Sequence, residues 1–198
     1  MDNMDKAIFE FAYRMALDDA TGQQAYKGRG EGSKTKLREC AKAKQAVKEY
    51  IEAIFASDGQ PDFEKTVAEV EEAFEAHLTE EGDGVFTFGN AQKLVNMAAK
   101  YMFMATYDRP ELRTQFAPCH CPMDSIMVDK IVAQVKEKEL EDELGLKRGW
   151  VGCLRKPWSK ITDDTREQYD LFQKLVSNLC SREDPRISPV EFDFKNWQ

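Results

Sequence analysis

Hydrophobic residues recur along most of this chain at the three- and four-residue spacing that is typical of amphipathic helices. The clearest stretch is 37–57, where apolar or thiol side chains share one helical face: Leu37, Cys40, Ala43, Val47, Tyr50, Ile51 and Ile54. The same spacing predicts five further helices, over 4–18, 61–78, 89–106, 123–140 and 163–180. The sequence therefore predicts a mainly α fold, an irregular bundle of about six helices in a single domain spanning 1–198.

Two segments lie outside this pattern. Residues 22–35 contain four glycines and several basic residues, which predicts a flexible Gly-rich basic loop. The loop ends in GRGEGSKT, whose spacing is one residue away from a phosphate-binding loop, and no strand precedes it as that motif requires. Residues 181–198 end in phenylalanines and a tryptophan at alternating positions, which predicts an extended C-terminal arm packed against the bundle.

Charge is unevenly distributed along this acidic chain, whose formal net charge is -8. Residues 27–48 carry eight basic residues against two acids, and residues 61–84 carry nine acids against one lysine. The two segments can pair with each other as neighbouring helix faces. The basic segment can instead attract phosphate, because charges act over a Debye length of about 10 Å. The sequence leaves both interpretations open.

Composition bears on the cell compartment. The N-terminus has two early acids and no basic region of the kind that starts a secretory signal, and the five cysteines are scattered. No apolar run approaches the ~20 residues that a membrane span needs. We therefore expect reduced thiols, a cytoplasmic protein and no membrane partner.

The helix over 89–106 carries the most informative polar residues. They form one stripe, made of Gln92, Lys93, Asn96 and Lys100. Met97, Phe103 and Met104 share the same arc, and a fully solvated face seldom carries such residues. The stripe is therefore interpreted as the wall of a partly buried cleft, or as a helix whose lysines reach out from the edge of the core.

A Cys-His-Cys-Pro loop follows this helix. Cys119, His120 and Cys121 are soft metal ligands, and Cys153, Cys180 or His77 could complete a set of four. Structural zinc sites usually contain paired C-x₂₋₄-C knuckles, however, and none occurs here, so we predict no metal and no cofactor. Cys121 is the thiol closest to a predicted helix start, which makes it the candidate nucleophile if the loop is catalytic.

These residues together predict a site for a phosphate-bearing ligand, either a nucleotide or a nucleic acid. Lys93 and Lys100 can neutralise phosphate, and Asn96 and Gln92 can orient it. The candidate catalytic residues are His120, whose ordinary pKa suits proton transfer, and Arg113 and Asp124, which carry charge beside it. Binding alone and hydrolysis, by a nuclease or a nucleotide-directed hydrolase, both remain open. The alternative function is a non-enzymatic helical module that docks a protein partner or a second copy of itself.

One pair of residues resembles a known motif. Six residues separate Arg113 from His120, and an arginine and a histidine at this spacing in an all-helical protein are similar to the motif of HEPN-type ribonucleases. The resemblance covers these two residues, and Pro118 interrupts what is continuous helix in that family. It implies cleavage of RNA with Arg113 and His120 as the reacting pair.

Overall fold

The computed structural model of the protein describes residues 3–22, 26, 33–56, 60–80 and 83–197. Within these ranges the chain forms ten α-helices and no β-strand, which confirms the predicted mainly α fold. The helices are α1 (Asn3–Thr21), α2 (Ser33–Glu39), α3 (Ala41–Phe55), α4 (Phe63–His77), α5 (Phe88–Ala105), α6 (Pro110–Arg113), α7 (Ser125–Glu137), α8 (Trp150–Leu154), α9 (Glu167–Ser181) and α10 (Pro189–Asn196). Short 3₁₀ helices lie at Thr114–Phe116, Trp158–Lys160 and Asp163–Thr165.

All six predicted helices are present, with one of them interrupted. The predicted helix over 37–57 divides at Cys40 into α2 and α3, because the backbone of Cys40 leaves the helical region with ψ at 88°. Helix α4 begins later than predicted, since the side chain of Asp62 caps it by accepting from the Lys65 amide at 3.0 Å.

The C-terminal prediction of an extended arm is wrong, because the chain forms α10 there. Ser188 caps this helix by accepting from the Glu191 amide at 3.1 Å, and Pro189 occupies the first helical position. Val190 and Phe192 turn inward and place the helix on the bundle, so the predicted packing of the tail against the core is correct. Residues 150–160, which fall in none of the predicted helices, form α8 and a 3₁₀ turn.

Most of the predicted basic loop, residues 23–25 and 27–32, lies outside the described residues. Its last residues belong to α2 rather than to a loop. Tyr26 is buried, and its hydroxyl donates to the Asp83 carbonyl. The basic and acidic segments meet through Lys36, whose Nζ lies 2.7 Å from Glu80 and 3.0 Å from Asp83.

Helix α5 is the central element of the bundle. Fifteen of its eighteen residues are buried, and it packs against α1, α3, α4, α10 and the Trp158–Lys160 turn. Buried hydrophobic residues from every helix except α6 form one core cluster around it. None of the described helices combines the length and apolar character that a membrane crossing requires. The assignment of the whole chain to a single domain stays a prediction.

Candidate functional site

The N-terminus of α5 is fixed against the Trp158–Lys160 turn. Thr87 and Asn90 cap the helix reciprocally, and the Thr87 hydroxyl also donates to the Ser159 carbonyl at 2.9 Å. Gly89 lets the two backbones meet, since a Cβ at this position would lie 1.9 Å from the Trp158 carbonyl oxygen. Trp158 is consequently held beside the polar stripe of α5.

A cleft with a volume of about 1030 Å³ lies beside this junction. Its walls come from the end of α1, the stripe side of α5, the first turn of α7 and the Trp158–Lys160 turn. Of the seven residues predicted to form the site, Lys93 and Asp124 line this cleft.

Lys93 and Asp124 form an ion pair in the wall of the cleft. Lys93 Nζ lies 2.6 Å from Asp124 Oδ2, and the two side chains are 6% and 18% exposed. The other carboxylate oxygen, Oδ1, accepts from the Met127 amide at 2.8 Å, so Asp124 also caps α7. The pair therefore joins α5 to α7 while keeping two charged groups at the cleft surface.

A second ion pair lies two helical turns further along α5. Lys100 Nζ lies 2.6 Å from Asp193 Oδ2 of α10, and both side chains are almost completely buried. Trp197 covers the ammonium at 4.5 Å from its ring centroid. Burial raises the pKa of Asp193, while the charge of Lys100 opposes the rise, and the charges of Lys93 and Asp124 also reach this carboxylate. The two pairs are thus parts of one electrostatic environment.

Gln92 and Asn96 belong to an internal hydrogen-bonded chain. Asn96 Nδ2 donates to Gln92 Oε1 at 3.2 Å and to the Tyr169 hydroxyl at 2.9 Å. That hydroxyl lies 2.9 Å from His120 Nδ1. The hydroxyl oxygen accepts from Asn96, and its own hydrogen can go to Nδ1 in the His120 tautomer that is protonated at Nε2. The chain holds the histidine ring from inside the core.

His120 lies at the other end of this chain, packed among aromatic rings. Its ring centroid is 4.3 Å from that of Phe63 and 5.9 Å from that of Tyr169. Burial lowers the pKa of His120 below its ordinary value, so the neutral imidazole is the stable form at neutral pH. The structure connects His120 to Asn96 through Tyr169 but does not place it in the wall of the cleft.

Arg113 occupies a different cavity. Its guanidinium lies 3.4 Å from Glu191 Oε1 and stacks over the Tyr107 ring at 5.1 Å. Arg113 ends α6, whereas His120 follows the 3₁₀ turn in non-helical chain, so the pair does not share the continuous helix of the HEPN-type motif. The seven predicted residues therefore fall into four places: the cleft, the Lys100–Asp193 pair, the internal chain and the Arg113 cavity.

The cysteines of the Cys-His-Cys loop are buried thiols. Burial raises the pKa of Cys119 to about 12 and raises that of Cys121 far above its ordinary value. Both thiols stay protonated at neutral pH, which disfavours them as nucleophiles. Across the described residues, no cluster of three His, Cys, Asp or Glu side chains is arranged to hold a metal ion.

Several important residues escaped the sequence interpretation. Tyr169 lies inside an amphipathic helix, where it resembled an ordinary core residue, and Asp193 was assigned to an extended arm. The Ser188-Pro-Val-Glu191 pattern is a recognisable helix start and could have revealed α10. Because α10 carries Asp193 and Trp197 follows it directly, that one signal would have suggested a partner for Lys100.

Comparison with known proteins returned no match to a protein family model, a curated protein or a solved structure. The function is therefore inferred from the chemistry of the cleft itself.

Proposed function

We propose that this protein binds a nucleotide, free or at the end of a nucleic acid, in the cleft beside α5. The observation that carries the proposal is the Lys93–Asp124 ion pair in the cleft wall. Placing two charges at a largely buried position carries a desolvation penalty of several kcal/mol per ion, and an apolar pair usually serves stability as well or better. Stability alone therefore does not explain the pair, whereas binding of a ligand that contacts both charged groups would explain it.

The cationic groups of the cleft suit a phosphate. Two α1 carboxylates line it as well: Asp18 pairs with Arg38 at 2.9 Å, and Asp19 accepts from the Tyr101 hydroxyl at 2.6 Å, a neutral group that leaves the charge of Asp19 in place. Lys160 also lines the cleft and makes no ion pair with any residue that the structure describes. Lys160 and the shared ammonium of Lys93 are accordingly the groups that would neutralise phosphate.

The first turn of α7 adds neutral donors to the same surface. Ser125 and Ile126 follow the Asp124 cap and line the cleft, and amides at these first helical positions have no partner within a helix. Together with the lysines they support phosphate binding at this end of the cleft.

An apolar rim gives the cleft a second character. Val85, Ile126 and Trp197 all line it and are 77%, 52% and 52% exposed, and half-buried Trp158 lies in its wall. Tryptophan rings stack on nucleobases, with an effect of about 1–3 kcal/mol per base. A nucleotide matches the cleft because it joins a flat aromatic base to an anionic group.

The proposal concerns binding and not hydrolysis. His120 is packed against Phe63 and bonded to Tyr169, and Arg113 lines another cavity, so neither supports a reaction at a ligand held by Lys93.

Calorimetric titration with the four common ribonucleoside monophosphates and with short single-stranded oligonucleotides tests this function. The informative variant is Lys93→Met/Asp124→Asn, which removes both charges but keeps a good capping residue on α7. We expect binding to weaken about tenfold or more, because a hydrogen bond to a charged group contributes about 1.5–3 kcal/mol. Affinity should also fall as salt rises.

The matched control is Lys44→Met/Glu10→Gln, which removes an ion pair of 2.5 Å between α3 and α1. Neither residue lines the cleft, so ligand affinity should be unchanged. Equal affinity in both double variants, or no binding of any nucleotide by the unaltered protein, would rule the function out. Tighter binding of oligonucleotides than of mononucleotides would identify nucleic acid as the source of the ligand.

The alternative of a helical protein-interaction module has one specific observation in its favour. Phe11 and Met15 lie one turn apart on α1, and both are exposed, with Phe11 at 62%. If this strip docks a second copy of the chain, light scattering will show concentration-dependent association that Phe11→Ser abolishes. A monomer at all concentrations removes this form of the alternative.

A further inference from the structure

A second polar cavity lies on the far side of α10 from the cleft. Its volume is about 530 Å³, and it is lined by residues of α6, α9 and α10 together with the segment that connects the last two. Three of its lining residues are cationic, namely Arg113, Arg186 and Lys195, and Glu191 is the one carboxylate among them. The cavity thus concentrates positive charge on a chain whose net charge is -8.

Glu191 only partly balances these cations. Arg113 and Lys195 both approach the same oxygen, Oε1, at 3.4 Å each. Charge-assisted hydrogen bonds between such groups are normally about 2.7–2.9 Å long, so both contacts are loose. Arg186 is exposed and pairs with no acid in the part of the chain that the structure describes. Three positive charges against one negative charge leave an excess of two.

One neutral donor of the cavity, the Ser188 hydroxyl, also suits an anionic ligand. The Ser188 oxygen accepts from the Glu191 amide as the α10 cap, and its own hydrogen is therefore free for an acceptor in the cavity. Arg113 is held in place by its stacking on Tyr107, which limits the ordering that binding would require.

We propose that this cavity is a binding site for a phosphate monoester dianion on a small molecule. Two negative charges would neutralise the excess positive charge, and planar guanidinium groups match the oxygens of phosphate. The volume lies within the range of small-molecule pockets, about 300–1000 Å³.

The site is separate from the proposed nucleotide cleft. Glu191 and Lys195 lie four residues apart on one face of α10, and Asp193 and Trp197 lie on the other, since two residues correspond to a rotation of about 200°. The first face lines this cavity, while Asp193 holds Lys100 and Trp197 lines the cleft. The proposal consequently does not depend on nucleotide binding.

Calorimetric titration of the full chain with methyl phosphate, and separately with dimethyl phosphate, tests the site. We expect methyl phosphate to bind and the diester, which carries one charge, to bind at least tenfold more weakly. Methyl phosphate affinity should rise as pH increases through about 6, where the second proton of a phosphate monoester leaves. Equal affinity for the two probes would overturn the assignment to a dianion.

Two variants that should change methyl phosphate affinity in opposite directions test whether the phosphate binds in this cavity. Arg186→Gln should weaken methyl phosphate binding about tenfold, because it removes a charged donor. Glu191→Gln should strengthen binding, because it removes the competing carboxylate while leaving the backbone amide that donates to the Ser188 cap. The control, Arg155→Gln, removes an exposed arginine that pairs with Asp129 at 2.8 Å and does not line the cavity.

The results separate this proposal from the previous one. Methyl phosphate affinity that is lost in Lys93→Met/Asp124→Asn and kept in Arg186→Gln would place the phosphate in the cleft and refute the second site. Weaker binding in Glu191→Gln would also refute it. Loss in Arg186→Gln, gain in Glu191→Gln and no change in the other variants would establish it.

Discussion

Breaking the buried Lys100–Asp193 ion pair should cost far more stability than removing both charges. The two side chains are 2% and 1% exposed, and Nζ lies 2.6 Å from Oδ2. At an effective dielectric constant of about 20, their attraction is about 6 kcal/mol. Desolvation of the two ions costs several kcal/mol each, so the net contribution of the pair is close to zero or unfavourable. The other carboxylate oxygen, Asp193 Oδ1, has no hydrogen-bond partner among the described residues, which adds to the imbalance.

The single variant Asp193→Asn leaves Lys100 buried without a counterion, and such losses are typically about 3–5 kcal/mol. For a chain of this length, that corresponds to a fall of about 6–20 °C in melting temperature. Lys100→Met/Asp193→Ala removes both charges at similar lysine volume, and its unfolding free energy should lie within about 2 kcal/mol of the unaltered protein.

Urea denaturation followed by circular dichroism measures the unfolding free energies of the unaltered protein, the single variant and the double variant. Equal slopes of the three transitions confirm that these free energies can be compared. A double variant as unstable as Asp193→Asn would refute the reasoning, because packing rather than an isolated charge would then explain the loss. A single variant within about 1 kcal/mol of the unaltered protein would refute it equally.

Three further predictions concern single positions. Gly89→Ala should destabilise the protein by about 3 kcal/mol or more in urea denaturation, because its Cβ would overlap the Trp158 carbonyl, and an unchanged midpoint would contradict that close approach. Burial and the charge of Asp163 raise the pKa of Glu71 from 4.5 to about 7. Between these two pH values the folded state holds a proton that the unfolded state has lost, so the free energy of unfolding falls as pH rises from 4.5 to 7. Glu71→Gln should flatten that fall in melting temperature, and an identical pH profile would contradict the shift. Ser188→Ala should cost about 1 kcal/mol through loss of the α10 cap, measured by the same denaturation, and no loss would show that the cap is unimportant.

The sequence predicted helices that have one apolar face and one solvated face, because the three- and four-residue spacing of apolar side chains can be read from neighbouring residues. It also predicted that the α5 stripe is not freely solvated, because Met97 and Phe103 share its arc. The partners of the stripe could not be predicted from the sequence, because Asp193 and Tyr169 contact it from helices far along the chain. Tertiary packing alone decides which carboxylate meets which lysine.

The predicted grouping of His120 with the lysines illustrates the same limit. His120 and Lys93 are far apart in the sequence, so a local pattern does not show whether they meet. In the structure, the turn after α6 directs the His120 ring toward Phe63 and Tyr169. The break at Cys40 and the helical C-terminus were missed for a different reason. Both depend on chain ends and caps, which carry weaker signals than the interior of a long amphipathic helix.

The most direct measurement of the central claim is tryptophan fluorescence of Trp150→Phe titrated with nucleoside monophosphates. The chain has three tryptophans, and this variant retains Trp158 and Trp197, which both line the cleft. Bases that stack there should quench the emission in a saturable way, and Lys93→Met/Asp124→Asn in the same background should shift the midpoint at least tenfold. Emission that stays constant up to saturating nucleotide, or quenching with the same midpoint in both proteins, would contradict nucleotide binding in the cleft.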